Sequence, residues 1–247
     1  YFLFHALLMF SMSFFNIAVN AQSVMLQKQV KQVILGKFHA AWSIGAGISA
    51  AVSGVLASFM SLQLHLILVG ALALLAFEIS IRKMLAPSED GHHEERQASR
   101  KVSFFKSPTQ LWLLAAGFFA GVFPELVMMD WSAVFAKQIM LLNPTLGAIP
   151  FASFTLAMIV GRLLIGRITK KYHISDLSKW GGIFGAASML LGVLLAPPLV
   201  STSPILALVV LSLFWAVTGF GLAPMVPSFF GAAGHVSGLT TAQALSR

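Results

Sequence analysis

Glu125 is the residue with the most chemistry to offer. It ends the apolar run Gly117-Phe118-Phe119-Ala120-Gly121-Val122-Phe123-Pro124. A charged side chain near the centre of a bilayer costs about 2.5–3.5 kcal/mol on insertion scales, so an acid there has a reason to be kept. Burial disfavours the charged form, which suits reversible protonation. The alternative is a carboxyl group bonded to a neighbouring helix for structure alone. Pro124 removes a backbone donor. A broken helix carrying a carboxylate at mid-membrane is a common way to build a substrate or coupling-ion site. Asp130 and Trp131 follow, nearer the outer surface. They read either as members of the same site or as a solvated acid and an interfacial anchor. Asn16, Asn20 and Gln22 end another apolar run, where they either line a pore or bond at the interface. His39 opens the next run and reads as a surface residue. Glu78, near the end of a third, reads as structural.

Other chemistries have no residues to carry them. There is no H-E-x-x-H, no G-x-S-x-G and no cysteine, so hydrolase and thiol mechanisms are not expected. His92-His93 lies among Glu89, Asp90, Glu94 and Glu95, but nothing fixes four ligands in a cage, and the segment reads as a solvated charge run. The expectation is no enzyme, no metal and no cofactor. A retinal pigment would need a lysine inside a late span, and none is there beyond Lys179 at an end.

The elements that position these residues follow from composition. Of 247 residues, 57% are hydrophobic and only 10% charged, against about 25% charged in a soluble domain. Mean hydropathy is +0.85. This is an all-α integral membrane protein. A core of about 30 Å needs roughly 20 apolar residues of helix. Seven stretches qualify: Phe2–Ala21, Phe38–Phe59, Leu62–Ile81, Gln110–Ala136, Thr145–Arg167, Trp180–Pro197 and Pro204–Val226. An eighth begins near Val236. The chain opens at Tyr1 inside an apolar run and closes inside another, and the expectation is a piece of a longer protein.

The loops give the orientation. Lys28, Lys31 and Lys37 follow the first span; Arg82, Lys83, Arg96, Arg100, Lys101 and Lys106 follow the third. Arg162, Arg167, Lys170, Lys171 and Lys179 surround the end of the fifth. Fourteen of the 16 basic residues thus fall in alternate loops, and the intervening loops hold only Lys137. Such alternation marks the cytoplasmic side. It also accounts for the net charge of +8 without nucleic acid. Residues 84–108 form the one extended polar region, a cytoplasmic linker between residues 1–83 and residues 109–247.

Small residues mark packing faces. Ala41, Gly45, Ser49, Ser53 and Ala57 recur every fourth position, a ridge that lets a second backbone approach. Gly181, Gly185 and Gly192, then Gly219 and Ala223, repeat the device. The run Gly161-Arg162-Leu163-Leu164-Ile165-Gly166-Arg167 closes the fifth span, with its cations expected to face the cytoplasmic surface.

That run, extended to Tyr172, resembles the cytoplasmic motif after helix eight of major facilitator superfamily transporters. Glu125-Leu-Val-Met-Met-Asp-Trp-Ser-Ala-Val134 resembles the E-G-x-x-x-D-W-S-A-V stretch of one bacterial inner-membrane branch, in its helix seven. Asn20-Ala-Gln22 and Phe38-His-Ala-Ala-Trp-Ser-Ile-Gly45 resemble that branch's helix-four end and helix-five start. Leu126 stands where the branch has Gly, and Gly166 where the family motif usually has an acid. The resemblance implies that residues 1–83 are the last three helices of an N-terminal half bundle, 84–108 the central loop, and 109–247 a truncated C-terminal half. About seven helices of an expected twelve are then present, family helices four to ten. It further implies proton-coupled transport of a small solute by alternating access. Glu125, Asp130, Trp131, Asn16, Asn20 and Gln22 would serve substrate or ion, and Gly161, Arg162, Gly166 and Arg167 would form a cytoplasmic gate. The partners implied are a small-molecule substrate and membrane lipid, the full-length protein being monomeric in a bacterial inner membrane. Competing readings are a truncated, non-transporting remnant, a seven-helix receptor and an intramembrane enzyme.

Overall fold

A computed structural model describes residues 2–56, 59–86 and 107–246. Residues 87–106, with His92-His93 and most of the expected central loop, lie outside the described residues. Regular structure among the described residues is helical throughout: α1 (Phe2–Val30), α2 (Leu35–Leu56), α3 (Leu62–Ile81), α4 (Thr109–Gln138), α5 (Pro144–Ile168), α6 (Ile174–Leu199), α7 (Pro204–Leu222), α8 (Met225–Ala233) and α9 (Thr241–Leu245). Six segments have the length and hydropathy to cross a membrane, with α7 and α8 together making the sixth. At 22 residues, α2 spans about 33 Å and has the length for a seventh. The expected eighth span appears only as the short α9, started by a capping box of Thr240 and Gln243.

Several boundaries follow from local chemistry. Ser61, Asn143 and Ser203 each accept a hydrogen bond from the backbone three residues on, at the starts of α3, α5 and α7. Pro144 and Pro204 occupy first helical positions, where the missing N–H costs nothing. Pro224 separates α7 from α8. The break expected at Pro124 does not occur: α4 runs unbroken for 30 residues with that proline inside. Membrane helices tolerate an interior proline where neighbours re-satisfy the freed carbonyl.

The tightest packing joins α5, α6 and α7. A Cβ on Gly219 would lie 2.1 Å from the Phe154 carbonyl oxygen, and one on Gly181 2.3 Å from that of Gly221. Gly185 and Gly192 also abut α7, as the ridge on the sixth span predicts. Ser188 Oγ donates to the Phe214 carbonyl at 2.7 Å across the same contact. Phe154, Met158, Leu211 and Trp215 fill the core between these helices.

The ridge on α2 behaves otherwise. Ala41, Gly45 and Ser49 are exposed, and a Cβ on Gly45 would meet nothing within 4 Å. The buried face of α2 is instead Leu35, Gly36, Ala40 and Ser43, set against α5. A Cβ on Gly36 would lie 2.6 Å from the Arg162 carbonyl oxygen. A stripe of small residues says that an approach is permitted, not which face uses it. On α3 no residue is buried, and its side chains are apolar enough to face lipid.

Candidate functional site

Glu125 lies 16 residues into α4, about 24 Å along the axis. It belongs to the inward face of that helix, with Gly121, Met128, Ser132 and Ala136. On α5 the inward face is Phe154, Met158, Arg162 and Ile165, spaced three and four apart. The two faces bring Glu125 and Arg162 together. Arg162 Nη2 donates to both carboxylate oxygens, at 3.1 Å to Oε1 and 2.8 Å to Oε2. Its other terminal nitrogen reaches α2, donating to Ser43 Oγ and, at 3.5 Å, to the His39 carbonyl oxygen. Three helices therefore meet at one guanidinium. In a low-dielectric setting an isolated charge is expensive, and this arrangement pairs it and supplies acceptors.

The expectation that Arg162 faces the cytoplasmic surface is not met. Its side chain is 1% exposed, and its counter-ion is Glu125. Gly161, beside it, packs against the Ala223 Cβ, and Gly166 lies against the Val33 carbonyl. Arg167 is exposed. So the glycines of this run seat α5 on its neighbours, Arg162 enters the interior, and Arg167 stays at the surface.

The pair opens onto a cavity of about 720 Å³ between α1, α2, α4, α8 and α9. Asn16 and Asn20 line it from α1, and Asn20 Nδ2 donates to the Asn16 carbonyl at 2.8 Å. Phe118 and Phe230 form part of its wall, with ring centroids 4.9 Å apart. His39 is not the surface residue its position predicts. Its ring stacks on Phe230 at 5.8 Å, it lines the cavity, and its Nε2 is buried without a partner among the described residues.

Other predicted residues lie elsewhere. Five and six residues after Glu125, a helix has turned by about 140° and 240°. Asp130 and Trp131 are accordingly exposed and away from the cavity. Gln22 also misses it: its Oε1 accepts from Leu85 N at 2.9 Å and its Nε2 donates to Leu85 O at 3.4 Å, fastening the end of α3 to α1. Glu78 pairs with Arg82 at 2.7 Å on the surface. Trp215 is buried in the core against Phe135. Sequence reasoning missed Ser43 as a partner for the guanidinium. Gly36 and Ala40 on the same face permit an approach there, but nothing in the spacing names the helix that makes it. Among the described residues no group of three or more His, Asp or Glu side chains could hold a metal ion.

The family model described as Major Facilitator Superfamily matches residues 1–246. An uncharacterised MFS-type transporter of Yersinia pestis is 26% identical over 235 residues, covering 93% of this chain and 56% of that protein. An uncharacterised transporter of Sinorhizobium fredii is 25% identical over 189 residues, covering 72% of this chain and 47% of that one. The chain spans about half the length of these curated relatives. No solved structure matches.

Proposed function

The chain belongs to the major facilitator superfamily, and on that premise we propose that it is the central part of a secondary transporter working by alternating access. The observation that carries this reading is the buried Glu125–Arg162 pair on the wall of the cavity. A multi-pass fold that spends two membrane-buried charges at a cavity between helices has the ingredients of a substrate and coupling site. Residues 1–83 and 109–247 are parts of two half bundles, joined by residues 84–108, in a bacterial inner membrane. The alternation of basic loops supports this orientation.

In this reading the coupling ion is a proton and Glu125 carries it. The ionised carboxylate holds Arg162, and Arg162 holds α2 through Ser43 and the His39 carbonyl. When Glu125 takes up a proton, the guanidinium loses its counter-charge. The α2–α5 contact is then weakened, and the two parts are free to rock. Gly36 and Gly166, which seat residues 33–36 on α5, form the closed side of this gate. Asp130, Trp131 and Gln22 take no part in it.

The test is pH-gradient-driven solute movement in proteoliposomes, made with the protein containing this chain at the length of its relatives. Glu125→Gln is expected to abolish gradient-driven movement while leaving gradient-independent exchange. Undiminished gradient-driven movement in that variant would refute proton carriage by Glu125.

A further inference from the structure

We propose that the cavity takes an amphipathic organic cation, its charged nitrogen against the Glu125 carboxylate and its apolar body on the Phe118–Phe230 wall. As a substrate assignment this rests on the transport reading above; as a binding site it stands on the geometry alone.

The charge preference follows from which half of the ion pair the cavity meets. The Glu125 side chain is 12% exposed and that of Arg162 only 1%. The guanidinium is also committed. One terminal nitrogen contacts both carboxylate oxygens, and the other serves Ser43 and the His39 carbonyl. Its Nε is enclosed, without a partner among the described residues and out of reach of a ligand. An anion entering the cavity therefore meets a carboxylate before it can reach a cation.

Glu125, by contrast, has capacity left. An ionised carboxylate offers about four acceptor positions. Both of its oxygens here face the same Arg162 nitrogen, its one partner among the described residues. An ammonium N–H can occupy a remaining position as a charge-assisted hydrogen bond. The neutral polar groups point the same way. Asn20 spends its amide nitrogen on the Asn16 carbonyl, which leaves its side-chain oxygen as an acceptor on the cavity wall.

The rest of the wall suits an apolar body. Met12, Phe118, Met129, Phe229 and Phe230 contribute to it. Aromatic faces add attraction for a cation within about 6 Å of the ring centre. The volume of about 720 Å³ lies within the roughly 300–1,000 Å³ of small-molecule sites. A small hydrophilic solute such as a sugar would leave most of that apolar wall unsatisfied.

The test uses two ions that share an apolar arylalkyl body and differ in charge, 4-phenylbutylammonium and 4-phenylbutyrate. Equilibrium binding of each is measured on the purified protein in detergent. The ammonium is expected to bind saturably, and at least about tenfold more tightly than the carboxylate. Glu125→Gln is expected to weaken the ammonium about tenfold or more. Because that variant strands a buried arginine, the charge-neutral double variant Glu125→Gln/Arg162→Gln is measured beside it, and it too is expected to lose the ammonium. Equal or tighter binding of the carboxylate would overturn the proposal. So would parental affinity for the ammonium in the folded double variant. Proteoliposomes separate this outcome from the transport reading. Proton-coupled movement of another solute without ammonium binding sinks the cation and keeps the transporter. Ammonium binding without any movement keeps the cation site and sinks the transporter.

Discussion

Removing either member of the Glu125–Arg162 pair tests the site by its energetics, and the two removals differ. Breaking a buried ion pair from one side costs about 3–5 kcal/mol, because the remaining charge is uncompensated. Glu125→Gln falls at the upper end. Its survivor is a guanidinium with 1% exposure, and arginine does not shed its proton in proteins. Ser43 and the His39 carbonyl solvate that charge but do not neutralise it. Arg162→Gln falls at the lower end, since its survivor is a carboxylate that touches the cavity. The double variant carries no buried charge, and replacing both partners is often close to neutral. A cycle over the four proteins should return a coupling energy of about 3 kcal/mol or more. The assay is reversible unfolding in mixed micelles, followed by the fluorescence of the 5 tryptophans. Two single variants each within about 1 kcal/mol of the parent would refute the reasoning, since that is the scale of an exposed pair. A double variant as unstable as Glu125→Gln would refute it equally.

Three further outcomes are expected. Gly219→Ala places a Cβ 2.1 Å from the Phe154 carbonyl oxygen and should cost about 1–3 kcal/mol by overpacking, whereas Gly45→Ala, with nothing within 4 Å, should fall within about 0.5 kcal/mol of the parent in the same unfolding assay. Gln22→Ala removes both side-chain bonds to Leu85 and should speed tryptic cleavage at the exposed Arg82 and Lys83, with little change in global stability. The chain has no cysteine, so single cysteines report cleanly on sidedness. A cysteine at Lys170 should react with an impermeant maleimide only from the cytoplasmic face and one at Lys137 only from the opposite face, and the reverse pattern would overturn the orientation.

The spans were legible because lipid imposes a length and a polarity that short-range composition cannot hide. Six apolar stretches named from sequence are crossing-length helices here, with ends shifted by a few residues where polar turns extend the helix beyond the hydrocarbon. The long tail of α1 past Ala21 is the largest such shift. The glycines of α6 announced their contact because the facing helix, α7, follows directly in the chain. Partner choice between distant segments was not legible. Gly45 and its neighbours looked like a contact and are exposed, while Gly36, outside that ridge, makes one. Glu125 was legible as costly, and Arg162 as a charge inside an apolar run. Their pairing needed a single further step: Phe154, Met158 and Arg162 share one helical face, and a buried arginine requires a counter-ion. The cationic motif at the end of α5 drew the arginine toward the surface in the sequence reading because its neighbours Arg167, Lys170 and Lys171 do lie there.

Hydrocarbon removes the usual reason for helices to stay together, so polar contacts carry a larger share of helix docking. That makes the position of Arg162 consequential. Between α5 and α7 the backbones touch through glycines over several turns, and no switch of charge would part them. Among the described residues the contact between α2 and α5 lies in the first turns of α2, with Gly36 against Arg162 and Ile165 and Ser43 bonded to Arg162. Beyond Ser43 the described side chains of α2 through Ser49 are exposed. A contact of that kind has one strong element, a guanidinium whose charge is balanced from α4 and whose other terminal nitrogen donates to α2. Its strength therefore depends on a charge carried by a third helix. Ser43→Ala tests this arrangement, since it removes one of the two acceptors that α2 offers Arg162, leaves the His39 carbonyl, and leaves the ion pair intact. If the reasoning holds, that variant loosens α2 from α5, read as faster labelling of a cysteine introduced at Ala40, while the Glu125–Arg162 coupling energy stays as in the parent. Unchanged labelling would mean that the Ser43 bond does not hold α2 on α5.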